Sequence, residues 1–163
     1  MKRFNNKVIV VSGASRGIGQ SICAAFAREG ARVVGLARGN LKETADLCGQ
    51  IGQFIPFQAD LSAVTQSAAS SLVSKILDKT ARIDALINNA GIIRRAPAVD
   101  VSEADWNEVI ATNLSAPFFL CQAVAKWWMS RGRAECAPDA RLKIVNIASL
   151  LSFQGGILVP AYT

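Results

Sequence analysis

Lys7-Val8-Ile9-Val10-Val11-Ser12-Gly13-Ala14-Ser15-Arg16-Gly17-Ile18-Gly19 is the stretch that decides the fold. Its first half is a short β-branched run, the pattern of a strand buried on both faces. Its second half is a glycine-rich turn. Beyond the turn, Ile18, Ile22, Ala25 and Phe26 recur at helical spacing, and Gly30 stops the run as a C-terminal cap. Strand, glycine turn and helix in this order let the backbone approach an anion closely. The helix start supplies free N–H groups and the positive end of a dipole. The spacing is G-x-x-x-G-x-G, and the Lys-Ser/Thr pair of a P-loop is absent. Gly13, Ser15, Arg16, Gly17, Ile18 and Gly19 are the candidate phosphate-cradling residues.

Outward from this stretch the pattern alternates. Strands are predicted over residues 7–12, 32–36, 54–58, 83–87 and 142–148. Pro56 suits an edge position in the third. Helices are predicted over 17–29, from an Asn40 cap to about Cys48, over 62–79 behind Asp60 and Ser62, and from the Ser102-x-x-Asp105 cap to about Ser130. Pro117 should kink or break the last of these. Residues 133–141 read as a polar loop. Five strands joined by helices predict a single α/β domain over residues 1–163, a doubly wound parallel sheet of Rossmann type with right-handed crossovers. Ligands on such a sheet bind at the carboxyl ends of the strands. The chemistry-bearing residues fall there: Gly13 to Gly19 after strand one, Arg38 after two, Asp60 and Leu61 after three, Asn88 to Gly91 after four, and Ser149 after five.

Composition narrows the function. The chain has 163 residues, 51% hydrophobic content and a net charge of +6. The basic residues are scattered without interleaved aromatics, so a nucleic-acid partner is not expected. Histidine is absent, and the four cysteines show no C-x-x-C spacing, so no metal site is expected. Cys23, Cys48 and Cys121 fall in apolar helical contexts and read as buried, reduced packing residues. No signal-like N-terminus and no segment of membrane-spanning length is evident, which points to a cytoplasmic protein with no membrane partner. Without histidine, Tyr162 is one of few candidates for proton transfer, and it is the only tyrosine.

A dinucleotide site tests the ribose 2′ position near the end of its second strand, with an acid for NAD or an arginine for NADP. Leu36-Ala37-Arg38 offers no acid there, and Arg16 lies in the glycine turn. Two arginines favour a 2′-phosphate, hence NADP(H) over NAD(H), although Arg38 as a solvated loop charge is the other reading.

Taken together, Ser12-Gly13…Gly17-Ile18-Gly19, Asp60-Leu61, Asn88-Asn89-Ala90-Gly91, Asn113, Ser149 and Tyr162 resemble the ordered motifs of the classical short-chain dehydrogenase/reductase family, with serine in place of its threonine. The stretches around Gly91 to Arg95 and Asn146 to Gly156 are similar to the branch that oxidises sugar acids such as deoxygluconates. The resemblance implies an NAD(P)-dependent oxidoreductase that interconverts a secondary alcohol and a ketone. It implies that Tyr162 passes a proton to or from the substrate oxygen, that Ser149 hydrogen-bonds that oxygen, and that Asn113 holds a water in the relay. Asp60 and Leu61 would seat the adenine, and Asn89, Ala90 and Gly91 the ribose and nearby cofactor. Arg94 and Arg95 either meet a substrate carboxylate or form a basic loop or intersubunit salt bridge. A homo-oligomer is implied for the full-length family.

The family's lysine lies four residues after its tyrosine, beyond Thr163 here. The last strands of the family fold also lie beyond that point. A free phenol titrates near ~10, so little of it is ionised at neutral pH without such a partner. The expectation is that the 163-residue chain alone turns over little, that the cofactor is loosely held, that the Tyr162 hydroxyl need not point inward, and that strand five is an exposed apolar edge. A truncated fragment that binds dinucleotide without turnover is therefore the alternative reading. A basic nucleotide- or RNA-binding module has only the net charge behind it.

Overall fold

All five predicted strands form, and in a computed structural model that describes residues 2–131 and 141–163 they make one parallel sheet. Their bounds are β1 Val8–Ser12, β2 Arg32–Ala37, β3 Gln53–Gln58, β4 Ala85–Asn88 and β5 Lys143–Asn146, in spatial order β3-β2-β1-β4-β5. The order reverses at β1, so the glycine turn leaves the sheet at its switch point, where a crevice opens. Register aligns the carboxyl ends: Ser12 stands opposite Leu36, and Asn88 opposite Asn146.

Helices cover both faces because the central strands are apolar on both. α1 Gly17–Arg28 and α2 Lys42–Gly49 lie against one face. Ile9, Val11, Cys23, Ala27, Val33 and Cys48 are buried there. α3 Gln66–Thr80 and α5 Ala116–Ser130 close the other over Val8, Val10, Val34, Leu36 and Leu86. Cys23 and Cys48 are fully buried and reduced, and burial pushes the Cys23 thiol up to about 12. Cys121 is half-buried and its thiol is raised by the same cause. Cys136 and nearly all of the predicted polar loop over residues 133–141 lie outside the described residues.

Pro56 does sit on an edge strand, β3, where a missing N–H costs little. The predicted helix over 62–79 is two elements. Asp60 caps only a 3-10 turn at Leu61–Ala63, and Thr65 caps α3 by accepting the Ala68 N–H. Asn40 caps α2 from one position further out, taking the Lys42 N–H at 2.8 Å. The predicted break near Pro117 is a π turn over Ala111–Ser115, which joins α4 Glu103–Ile110 to α5 without interruption. Read end to end, Glu103–Ser130 is long and apolar enough to cross a membrane, contrary to the sequence expectation. Here it lies along α3, with Leu120, Ala123 and Val124 in the core, while Leu114, Phe118 and Met129 are exposed. β5 is an exposed edge, as expected: Ile144 and Val145 are 38% and 44% exposed.

Candidate active site

The glycine turn is shaped by what lies against it. Gly13 and Gly17 adopt positive φ, 67° and 57°. A Cβ on Gly19 would stand 2.1 Å from the Gly13 carbonyl oxygen, so α1 can start this close to β1 only with glycine there. Thr44, fully buried, donates to the Ala14 carbonyl at 2.8 Å and ties α2 to the same turn. Across the switch point, Ser12 Oγ accepts the backbone N–H groups of Asn89 and Ala90, each at 3.0 Å. Asn89 Nδ2 returns a hydrogen bond to the Ser12 carbonyl at 3.0 Å. The Asn89 carboxamide donors are thus spent on the scaffold, and its part in the groove is to hold the Asn89–Gly91 backbone beside Gly13.

The strand ends open into one groove with two chambers that share Asn89, Ala90, Gly91 and Ile92. The chamber over β1, β2 and β3, about 620 Å³, is lined by Gly13, Ser15, Arg16, Arg38, Asp60 and Leu61 among others. Hydrogen bonds from the Ser62 hydroxyl and amide, with the Arg38 charge nearby, hold the Asp60 carboxyl below the usual carboxylate range. Gly17 and Gly19 belong to the turn itself, and Ile18, 65% exposed, reaches the neighbouring chamber.

That neighbouring chamber, over β4 and β5, is about 810 Å³ and is lined by Ile18, Asn113, Cys121, Ser149, Ser152 and Tyr162 among others. Ser149 Oγ accepts the Leu151 N–H at 3.2 Å at the start of α6 Leu151–Gln154 and keeps its own proton to donate. The backbone at Tyr162 is held. Its N–H donates to the Val159 carbonyl at 3.0 Å, and so does that of Thr163 at 3.1 Å, a helical first turn behind Pro160. Val159 is 6% exposed, and Ala96 N–H bonds the Leu158 carbonyl at 3.0 Å, so the segment is pinned to the body. Ser149 and Tyr162 therefore meet in one chamber.

Asn113 also lines it, within the π turn. Its side chain clasps Ile92: Oδ1 accepts the Ile92 N–H at 2.9 Å and Nδ2 donates to the Ile92 carbonyl at 2.8 Å. π turns of this kind recur at functional sites. Arg94 departs from one expectation. It is bonded to Glu108 at 2.6 Å and lies 3.4 Å from Asp105, an intrachain cluster that binds the 91–96 loop to α4. Arg95 is exposed, and neither arginine lines the groove. Sequence reading missed Ser12 as a clamp and Glu43, which lines the chamber of Arg16 and Arg38.

The donor set fits a dinucleotide. A turn that admits only glycine at Gly19 faces Arg16, Arg38, Glu43, Asp60 and Glu108 in one chamber, and Ser149 and Tyr162 line the next. The buried Thr112 Oγ1 and Asn88 Oδ1, on residues from each chamber's lining, have no hydrogen-bond partner within the described protein.

A doubly wound parallel sheet with this arrangement at its strand ends makes the chain a Rossmann-type α/β protein. The chain belongs to the short chain dehydrogenase family, which matches residues 7–163. It is similar to 2-dehydro-3-deoxy-D-gluconate 5-dehydrogenase of Dickeya dadantii, 39% identical over 100% of this chain and 62% of that protein. The enzyme of the same name from Bacillus subtilis is 43% identical over 98% of this chain and 59% of its own length. Among solved structures, an Agrobacterium tumefaciens protein described as a 2-deoxy-D-gluconate 3-dehydrogenase, with bound NADP, superposes with a TM-score of 0.83. It is 43% identical, over 97% of this chain and 59% of that one. The chain thus spans about 60% of the length of the relatives it matches.

Proposed function

We propose that this chain carries the cofactor-binding and proton-transfer machinery of an NAD(P)-dependent oxidoreductase that interconverts a secondary alcohol and a ketone on a sugar acid such as a deoxygluconate. One observation carries the reading: the glycine turn and the Ser149–Tyr162 pair open onto a single groove, joined by the shared wall of Asn89 to Ile92. The nicotinamide would supply or accept the hydride. The Gly13–Gly19 turn and the start of α1 would hold the pyrophosphate. Asp60 and Leu61 would receive the adenine, with Arg16 and Arg38 around the ribose 2′ position. Ser149 would donate to the substrate oxygen and Tyr162 would move its proton. Asn113 would hold a relay water. The names of the relatives and the NADP in the Agrobacterium structure support this assignment.

A second reading has its own observation. No lysine or arginine is among the residues lining the Ser149–Tyr162 chamber in the described chain. This reading is a polypeptide that binds dinucleotide with little turnover. Titrating the purified 163-residue protein with NADPH and NADH, followed by cofactor fluorescence, tests the shared part; micromolar binding is expected. Nicotinamide reduction with 2-dehydro-3-deoxygluconate and gluconate then separates the two readings. Turnover that scales with protein concentration supports the first, and saturable binding without turnover supports the second. Absence of binding to either dinucleotide overturns both.

A further inference from the structure

The chamber of Arg16 and Arg38 also holds an unbalanced acid. Glu43 stands in the first turn of α2 and lines that chamber with the two arginines, Asn40 and Asp60. The other carboxylates there are engaged. Asp60 Oδ1 takes both the amide and the hydroxyl of Ser62, at 2.9 and 2.7 Å. Glu108 is bonded by Arg94 at 2.6 Å. Lys42, beside Glu43 on α2, faces Asp46 at 3.7 Å. Among the described residues Glu43 makes no ion pair.

We propose that Glu43 sets this chamber's discrimination between a ribose 2′-hydroxyl and a 2′-phosphate, acting against Arg16 and Arg38. The inference rests on the reading of the groove as an NAD(P) site and adds the residue that tunes it. A 2′-phosphate brings about −1.5 to −2 charge at neutral pH, which two arginines attract and a free carboxylate repels. A 2′-hydroxyl is neutral and escapes that repulsion. The chamber thus combines a device that favours each cofactor. At a separation of about 8 Å in a water-like dielectric, one carboxylate changes the affinity of a doubly charged phosphate by about fivefold.

The test is a titration of the purified chain with NADPH and NADH at low and high salt. Wild type is compared with Glu43→Gln, Glu43→Asp and Arg38→Gln. Glu43→Gln is expected to tighten NADPH about fivefold while NADH holds or weakens. Glu43→Asp, which keeps the charge, should retain the wild-type ratio, and Arg38→Gln should move it the other way. The Glu43→Gln gain should shrink at high salt, because a charge effect at an exposed site is screened. If wild type binds both dinucleotides and Glu43→Gln moves their ratio less than twofold, Glu43 serves only the α2 dipole and the inference fails. If wild type binds neither, the underlying reading of the groove fails, and the inference with it.

Discussion

Ser12 and Asn89, one at the end of β1 and the other just past β4, are locked by reciprocal hydrogen bonds. Ser12 Oγ accepts the Asn89 N–H, and Asn89 Nδ2 donates to the Ser12 carbonyl, both at 3.0 Å. Ser12 is 2% exposed, and the same hydroxyl also accepts the Ala90 N–H. Ser12→Ala leaves two backbone donors near the switch point without an acceptor. It should cost about 2–4 kcal/mol in urea unfolding and weaken dinucleotide binding, while Ser12→Thr, which keeps the hydroxyl, should retain most of both. Equal melts for Ser12→Ala and wild type would falsify the clamp.

The two carboxamide bonds between Asn113 and Ile92 make a second prediction. Asn113→Ala frees the wall shared by the two chambers and should cost about 1–3 kcal/mol. Asn113→Asp preserves the acceptor for the Ile92 N–H but loses the donor to its carbonyl, so it should fall between wild type and Asn113→Ala. Backbone hydrogen exchange at Ile92 gives the local readout: its protection should drop in the order wild type, Asp, Ala. Ile92 protection indifferent to both substitutions would show that the carboxamide does not hold this wall.

Arg94 is predicted to matter for the loop rather than directly for the groove. It is 40% exposed and paired with a 30% exposed Glu108, so solvent screens the pair. A double-mutant cycle of Arg94→Ala and Glu108→Ala should return a coupling of about 0.5–1 kcal/mol. NADPH affinity should move less than threefold in Arg94→Ala. A tenfold loss would place the guanidinium at the ligand after all.

How much of this was legible in the sequence follows from how local each cause is. The glycine turn was legible because its constraints act between near neighbours, as with Gly13 and Gly19. So were the strand order of chemistry and the edge position of Pro56, since a parallel sheet aligns strand ends and an edge tolerates a lost N–H. The Ser12–Asn89 clamp was not, because 77 positions separate the partners and each residue has an adequate local explanation. Pro117 announced a disturbance in the long helix, but only the backbone could show that a π turn absorbs it. Helix capping at Asp60 was misplaced by one element because Asp60, Ser62 and Thr65 all offer side-chain oxygens, and packing of α3 on the sheet selects Thr65. Glu43 was overlooked because an acid was sought at the end of β2, whereas the first turn of α2 folds back over the same chamber.

Burial of the Cys23 thiol yields a pH prediction. Desolvation pushes its pKa up to about 12, with Cys48 adding a smaller contribution of the same sign. In the unfolded chain a thiol titrates near ~8.5–9, so between those values the unfolded state releases a proton that the folded state keeps. The folded pKa is raised, so the associated stability is fully present below about pH 8.5 and declines as pH rises toward 12. By about pH 10.5 the loss reaches roughly 2 kcal/mol. Cys23→Ala removes the titrating group at the cost of a small cavity. It should therefore be less stable than wild type at neutral pH and show a shallower alkaline decline, with the two urea midpoints converging as pH rises. Parallel declines from pH 8.5 to 10.5 would show that the alkaline loss comes from other groups.

Gly17 and Gly19 separate two physical reasons for glycine in one turn. At Gly19 a Cβ would stand 2.1 Å from the Gly13 carbonyl oxygen, with backbone on one side and the Asn89 carboxamide at 2.6 Å on the other. Neither can retreat without breaking the β1–β4 clamp, so Gly19→Ala should cost more than about 3 kcal/mol or prevent folding. At Gly17 the space is open, with no neighbour within 4 Å of a Cβ, but φ is +57°. Gly17→Ala then costs only the left-handed penalty, about 1–2 kcal/mol, and should leave a folded protein. Its circular dichroism should match wild type while the urea midpoint falls. Should Gly19→Ala prove the milder substitution, the close approach of α1 to β1 would not be what fixes the turn.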